Sequence, residues 1–168
     1  MSSVHLRPLR PDDAELLFTG LTNPELYTYL EEAPPASKDW LAERFSVLAA
    51  GAPSGVGETW LNWVIEDSTS RLALGTAQAT IYEDGAPTSI AYLLFRQSWG
   101  QGFASAAVKH VLHQLATNFG VTEVQAEIHE QNERSWRLVE RLGFQHVDTV
   151  PEDGYHDLIY RRRTSALE

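Results

Sequence analysis

The sequence predicts a mixed α/β domain, a mostly antiparallel sheet of about six to seven strands flanked by about four helices. Three observations lead there. Apolar runs between Thr59 and Phe95 alternate at strand period with only short polar turns between them, as an antiparallel meander does. A strand, a helix of 18 residues and a second strand follow, a crossover that makes those two strands parallel. The 168 residues hold no internal repeat and no linker-like stretch, so one domain over residues 1–166 accounts for the chain. The closing Leu167-Glu168 reads as an expression remnant and carries no weight.

The elements follow in order. Val4 to Leu9 alternates as a first strand, and Pro11-Asp12-Asp13-Ala14-Glu15 opens a helix with proline and acids where a helix start favours them. Ser37 caps a second helix to Ala50, with Trp40, Leu41, Phe45 and Leu48 at helical spacing. Asn23-Pro24, Glu31-Glu32-Ala33-Pro34-Pro35 and Gly51 to Gly55 are punctuation. TWLNWVIE, RLALGTAQATIY and SIAYLLF are the meander strands. Gly102 to Phe119 carries Phe103, Ala107, Val111 and Leu115 every four residues and ends at Gly120, a helix with its stop. Val124, Ala126 and Ile128 alternate with polar residues as a strand, Asn132 to Leu142 is a helix closed by Gly143, and two strands finish the chain near 144–149 and 156–162.

Composition excludes several functions. With no cysteine there is no thiol nucleophile, thiolate zinc site or redox pair, which fits a reducing compartment. No signal-peptide core and no run approaching about 20 apolar residues is present, so a cytoplasmic protein without membrane partners is expected. Thirteen basic against 23 acidic residues give a net charge of −10, the wrong sign for nucleic acid. Eleven of the basic residues are arginine, and Arg96, Arg134, Arg137 and Arg141 flank the two segments discussed next, so any anion site is local. His110 and His113, at i and i+3 with no nearby carboxylate or cysteine, do not make a metal site, and no metal is expected.

The segment RQSWGQGFASAA, residues 96–107, sets Gly100 and Gly102 between a strand and a helix. A helix start leaves N–H groups unpaired and carries partial positive charge, so a loop without side chains there can wrap an anion; the same glycines can instead serve only a tight turn. A P-loop is excluded because G-x-x-x-x-G-K-[ST] is absent, and a dinucleotide fingerprint because Ser105 stands where its third glycine belongs.

Gln97-Ser98-Trp99-Gly100-Gln101-Gly102, together with Asn132-Glu133-Arg134-Ser135 and Arg141-Leu142-Gly143-Phe144, resembles the GNAT superfamily of N-acetyltransferases. The hallmark of that superfamily is Q/R-x-x-G-x-G/A between the fourth strand and the third helix. The element order matches, and the resemblance covers essentially the whole chain. HLRPLRPDDAELLF, the Asn132–Ser135 spacing and Gly154-Tyr155-His156-Asp157 look like the RimJ/RimL-type branch, which acetylates N-termini of ribosomal proteins.

The resemblance implies a twisted sheet whose parallel pair splays at an acetyl-CoA site, with acetyl-CoA the cosubstrate, and often a homodimer. The N–H groups from Gln97 to Ala104, which include Gly100, Gln101, Gly102 and Phe103, would hold the pyrophosphate, with Arg96 and Gln97 at its edge. Leu93, Leu94 and Phe95 would pair their backbone with the pantetheine arm and polarise the thioester carbonyl, and Asn132 would touch the same arm. The acceptor mouth would be lined by the Glu31-Glu32 loop with Trp60 and Trp63.

Acetyl transfer needs a neutral amine, a polarised carbonyl and a proton for the departing thiolate. Many GNAT members draw that proton from a Tyr seven residues after the Asn, where this chain has Val139. Ser135, on the inward face with Leu138, Val139 and Leu142, is the substitute; the alternative is a serine that only satisfies helix N–H groups. No carboxylate stands in SIAYLLF to act as base, which leans toward an α-amine, neutral in about a tenth of molecules at pH 7, with water or an acid such as Glu152 or Asp157 carrying its proton away. His156 and Asp157 read equally as final-strand structure.

The expected reaction is direct attack of a primary amine, a peptide N-terminus or a small amine such as a polyamine or aminoglycoside, on acetyl-CoA in a ternary complex. A non-catalytic acyl-CoA-binding module and a purely structural glycine loop are the alternatives.

Overall fold

A computed structural model of the chain describes residues 2–164, so the expectation for Leu167-Glu168 lies outside the described residues. The strands are β1 (Val4–Pro8), β2 (Glu58–Asp67), β3 (Ala73–Tyr82), β4 (Thr88–Leu94), β5 (Glu123–His129), β6 (Gln145–Pro151) and β7 (His156–Arg163). The helices are α1 (Asp13–Leu21), α2 (Lys38–Ala50), α3 (Phe103–Phe119) and α4 (Glu133–Arg141), with single 3-10 turns at Pro24–Tyr27 and Arg96–Ser98.

The strands form one sheet in the order β1-β2-β3-β4-β5-β7-β6. Every neighbouring pair is antiparallel except β4–β5, which the crossover through α3 makes parallel, as the sequence predicts.

Alternation along the strands sends side chains to two cores. Val64 and Ile65, neighbours on β2, are both fully buried on opposite faces. Val64 joins Leu17, Leu21, Leu41 and Phe45 of α1 and α2. Ile65 joins Val108, Val111, Leu112 and Leu115 of α3 and Leu138 and Val139 of α4. The sheet is therefore covered on both faces, which explains its near-continuous apolar central strands. Trp40, expected on the apolar stripe of α2, is instead about half exposed, because the helix turns Leu41 and Phe45, with Ala42 and Leu48 beside them, toward the core.

Arg7 on β1 ties three elements together. Its two terminal nitrogens donate to both carboxylate oxygens of Asp13 at 2.9 and 2.7 Å, and its Nε donates to Glu66 on β2 at 2.9 Å. Burial opposes the charge on Asp13, but the hydrogen bonds from Arg7 and from the Arg10 N–H outweigh it and hold the carboxyl below its usual range. A carboxylate with a depressed folded-state pKa stabilises the fold above its unfolded value near 3.9 and loses that contribution as pH falls through the folded value. Urea unfolding of Arg7→Leu should show a loss of about 3 kcal/mol at pH 7, the cost of leaving a buried charge unpaired, shrinking as pH drops below about 4. An unchanged midpoint would mean that the pair only bridges surface.

Candidate active site

The parallel pair of strands is barely a pair. β4 and β5 register only at Thr88 with Val124 and Ser89 with Gln125, after which the strands part. From Ile90 to Leu94, β4 stays bonded to β3 on one side and is open on the other. Successive N–H groups of an extended strand face opposite edges. The Phe95 N–H donates to Leu74 of the β3 side at 2.8 Å, so those of Leu94 and Tyr92 face the opening.

The glycine loop stands at the wide end of this gap. Gly100 and Gly102 have φ of +73° and +84°, a left-handed backbone that residues with a Cβ rarely adopt. Gly102 caps α3, whose first intrahelical bond runs from the Ala106 N–H to the Gly102 carbonyl. The N–H groups of Gly102, Phe103, Ala104 and Ser105 thus have no helical acceptor and sit at the positive end of a 17-residue helix. The Ser98 and Trp99 N–H groups differ, being bonded to the carbonyls of Phe95 and Arg96. Two of the N–H groups expected over 97–104 are therefore already bonded within the loop.

Trp99 anchors the loop through an Nε1–H bond to the Leu94 carbonyl at 3.0 Å, and the Arg134 guanidinium lies 3.6 Å from the centre of its ring. Arg134 and Arg141 line the cavity with Gly100, Gly102 and Ala104, placing cationic charge beside the free N–H groups.

Two cavities meet in the gap. One, about 210 Å³, runs from the glycine loop along Leu93 and Leu94. The other, about 570 Å³, opens between β5, β7 and the loop after α1. Tyr29, Leu30, Tyr92, Asn132 and Ser135 line both. At this junction Asn132 caps α4 by accepting the Ser135 N–H on Oδ1. The Ser135 hydroxyl caps nothing and lies 3.4 Å from the Tyr92 hydroxyl. Burial raises the Tyr92 phenol above its ordinary range, against the lowering effects of the Ser135 hydrogen bond and of Arg134 and Arg141, so it is protonated near neutrality.

The larger cavity is acidic and aromatic. Carboxylate oxygens of Glu127, Glu152 and Asp157 all lie within 4.8 Å of one another, and Glu31 and Glu32 line the same space. Partial desolvation, then the charges of Asp157 and Glu152, push the Glu127 carboxyl upward. His129 stacks on Tyr155 with ring centres 4.4 Å apart, and Tyr29 tilts against His129 at 5.1 Å.

Residues 3–145 match the model of the acetyltransferase (GNAT) domain. The chain belongs to the GNAT acetyltransferases, and is an N-acetyltransferase. It is 24% identical over 155 residues to an uncharacterized N-acetyltransferase, p20, of Bacillus licheniformis, covering 83% of this chain and 78% of that one. Among solved structures, a GNAT acetyltransferase from Bacillus anthracis superposes with a TM-score of 0.80 at 14% identity, covering 98% of this chain and 99% of that one. A spermidine N-acetyltransferase from Vibrio cholerae, solved with CoA and spermine, superposes equally at 18% identity over 97% and 96% of the two chains. Both show the fold.

Within this acetyltransferase, eight of the residues singled out from sequence line the smaller cavity: Leu93, Leu94, Gly100, Gly102, Phe103, Ala104, Asn132 and Ser135. Four do not. Phe95 is turned into the core against α1, close to Gly20, while Arg96 pairs with Glu25 at 2.9 Å and Gln101 bonds the Gln97 carbonyl at 2.7 Å. In the mouth, the Glu31-Glu32 loop is present, but Trp63 is buried on the α3 side of the sheet and Trp60 bonds Glu58, so neither lines it. His156 pairs with Glu130, while Asp157 joins the carboxylates.

Sequence reasoning missed Tyr92, Tyr29 and Glu127. Glu127 was legible as a polar position on alternating β5, yet nothing local marks the face it shares with β7; the arginines were visible only as a local excess. Calorimetric titration of acetyl-CoA into wild type and Gly102→Val should show binding at least ten-fold weaker in the variant, about 1.4 kcal/mol, because valine resists the left-handed conformation. Equal affinity would reduce the loop to a turn.

Proposed function

We propose that this acetyltransferase binds acetyl-CoA along the open edge of β4 and transfers its acetyl group directly to a cationic primary amine entering from the acidic cavity. The observation that carries the reading is the junction, where an anion-binding loop and an acidic cavity converge on one serine and one strand edge. The pyrophosphate lies on the Gly102–Ser105 N–H groups beside Arg134 and Arg141. The pantetheine follows β4, and the Leu94 N–H polarises the thioester carbonyl as an oxyanion hole does. Ser135 gives the thiolate its proton. No covalent intermediate is formed on the enzyme.

The preference for an α-amine rested on the lack of a base. Glu127, with Glu152 and Asp157, supplies a carboxylate whose raised pKa suits it to take a proton from an ammonium group, so a more basic amine is within reach. Five carboxylates around stacked aromatic rings favour an acceptor with more than one positive charge, a polyamine rather than a peptide N-terminus. The same constellation supports transfer over a non-catalytic acyl-CoA-binding role. A peptide N-terminus of the RimJ/RimL type is the second reading, carried by the room in the acidic cavity, about 570 Å³.

Initial rates with spermidine and with a peptide of uncharged side chains separate the two. At low salt, kcat/KM for spermidine should be at least ten-fold higher, and the pair Glu31→Gln, Glu32→Gln should raise the spermidine KM several-fold at constant acetyl-CoA KM. Preference for the peptide would reassign the acceptor. The acidic limb of kcat/KM should lie above the ordinary carboxylate range near pH 4.3 and vanish in Glu127→Gln, with about a hundred-fold slower turnover.

A further inference from the structure

Position 139, where a phenol would stand by the superfamily pattern, is a buried valine, yet a phenol is present at the junction from a different element. Tyr92 reaches it from β4, lines both cavities and faces the Ser135 hydroxyl at 3.4 Å. We propose that Tyr92 and Ser135 form a two-residue proton relay, in which Ser135 protonates the departing CoA sulfur while Tyr92 refills Ser135. The inference rests on the acetyl-transfer reading of the site and adds a residue to it.

The geometry supports the relay over a packing role. A serine alone is a poor acid, because its alkoxide is far too basic to leave behind at neutral pH; it donates efficiently only when a second group hands it a proton in the same step. Among the described residues, Tyr92 is the acidic hydrogen that faces Ser135 at hydrogen-bond range. A 3.4 Å separation is loose, as catalytic hydrogen bonds often are before the reacting groups tighten them. The charges of Arg134 and Arg141 on α4 partly offset the burial that disfavours the phenolate formed transiently. Across the acceptor cavity stand Glu127 and His129 of β5, Asp157 of β7, Tyr155, and Glu31, Glu32 and Tyr29 of the loop after α1.

The step balances. Glu127 first takes the ammonium proton and passes it to solvent; the neutral amine nitrogen then forms a C–N bond to the thioester carbonyl and loses a second proton to the Glu127 group. The tetrahedral intermediate collapses, the C–S bond breaks, and the sulfur takes the Ser135 proton as the Tyr92 proton moves to Ser135. The proton held by the carboxylates then returns to Tyr92, leaving amide, CoA thiol and the enzyme as it began.

Steady-state kinetics of wild type, Tyr92→Phe, Ser135→Ala, Ser135→Thr and the Tyr92→Phe, Ser135→Ala double variant test the relay, with spermidine and acetyl-CoA. Tyr92→Phe and Ser135→Ala should each lower kcat about a hundred-fold, the scale of one proton-transfer group, with the calorimetric Kd for CoA within two-fold of wild type. The double variant should be no slower than the slower single, since the two act as one unit. Ser135→Thr, which keeps the hydroxyl, should recover most of the loss. A solvent deuterium isotope effect on wild-type kcat should fall toward one in both singles.

Turnover of Tyr92→Phe within two-fold of wild type, or losses that multiply in the double variant, would overturn the relay while leaving the acetyltransferase reading intact. Should Tyr92→Phe fail to fold, equal kcat in Ser135→Ala and wild type would overturn it. A wild type that binds acetyl-CoA but modifies no amine would overturn both.

Discussion

The whole site depends on the failure of one strand pairing. Parallel strands linked by a crossover helix ordinarily share a continuous ladder, but β4 and β5 share two residue pairs and then separate. Backbone groups of β4 that a neighbour would have satisfied are left facing a gap, a state that normally invites another strand. An extended pantetheine arm has the shape and amide spacing to fill that place. The open edge, the helix start and the junction residues have no shared purpose unless the strands part.

What holds the gap open is packing on both sides of it. β4 is fixed by its ladder to β3 and by Trp99, whose indole binds the Leu94 carbonyl at the strand's end. β5 is fixed by a seven-residue antiparallel register with β7. α4 packs Leu138 and Val139 into the shared core, and its first turn is held by the Asn132 cap. Asn132 thus has a structural duty that positions Ser135, whatever else it touches. The two sheet halves share one core with α3 and α4, yet they part beyond Ser89 and Gln125, and the residues lining the junction sit on regular elements at that point of divergence.

Much of this was readable beforehand. Strand and helix order followed from period changes, because β2, β3 and β4 are apolar strand-length runs between short polar turns and α3 repeats every four residues. Gly100 and Gly102 were readable because positive φ leaves glycine little competition. What escaped was set by register between distant segments. Glu127, Glu152 and Asp157 are spread over β5, the turn between β6 and β7, and β7, and the β5–β7 register, which pairs Glu127 with Ile159 and His129 with Asp157, brings them together. Tyr92 looked like one more apolar strand residue in SIAYLLF; its role depends on α4 lying across it. Trp63 was misplaced because alternation told that it was buried without telling on which face.

The most direct measurement is a crystal structure of the enzyme with a bisubstrate analogue, CoA joined through an acetyl bridge to a polyamine nitrogen. The pantetheine should run along the open edge of β4 with the bridging carbonyl oxygen on the Leu94 N–H, the sulfur in hydrogen-bond reach of the Ser135 hydroxyl and the polyamine among Glu127, Glu152 and Asp157. A pantetheine lying outside the β4–β5 gap, or a sulfur remote from Ser135, would contradict the account.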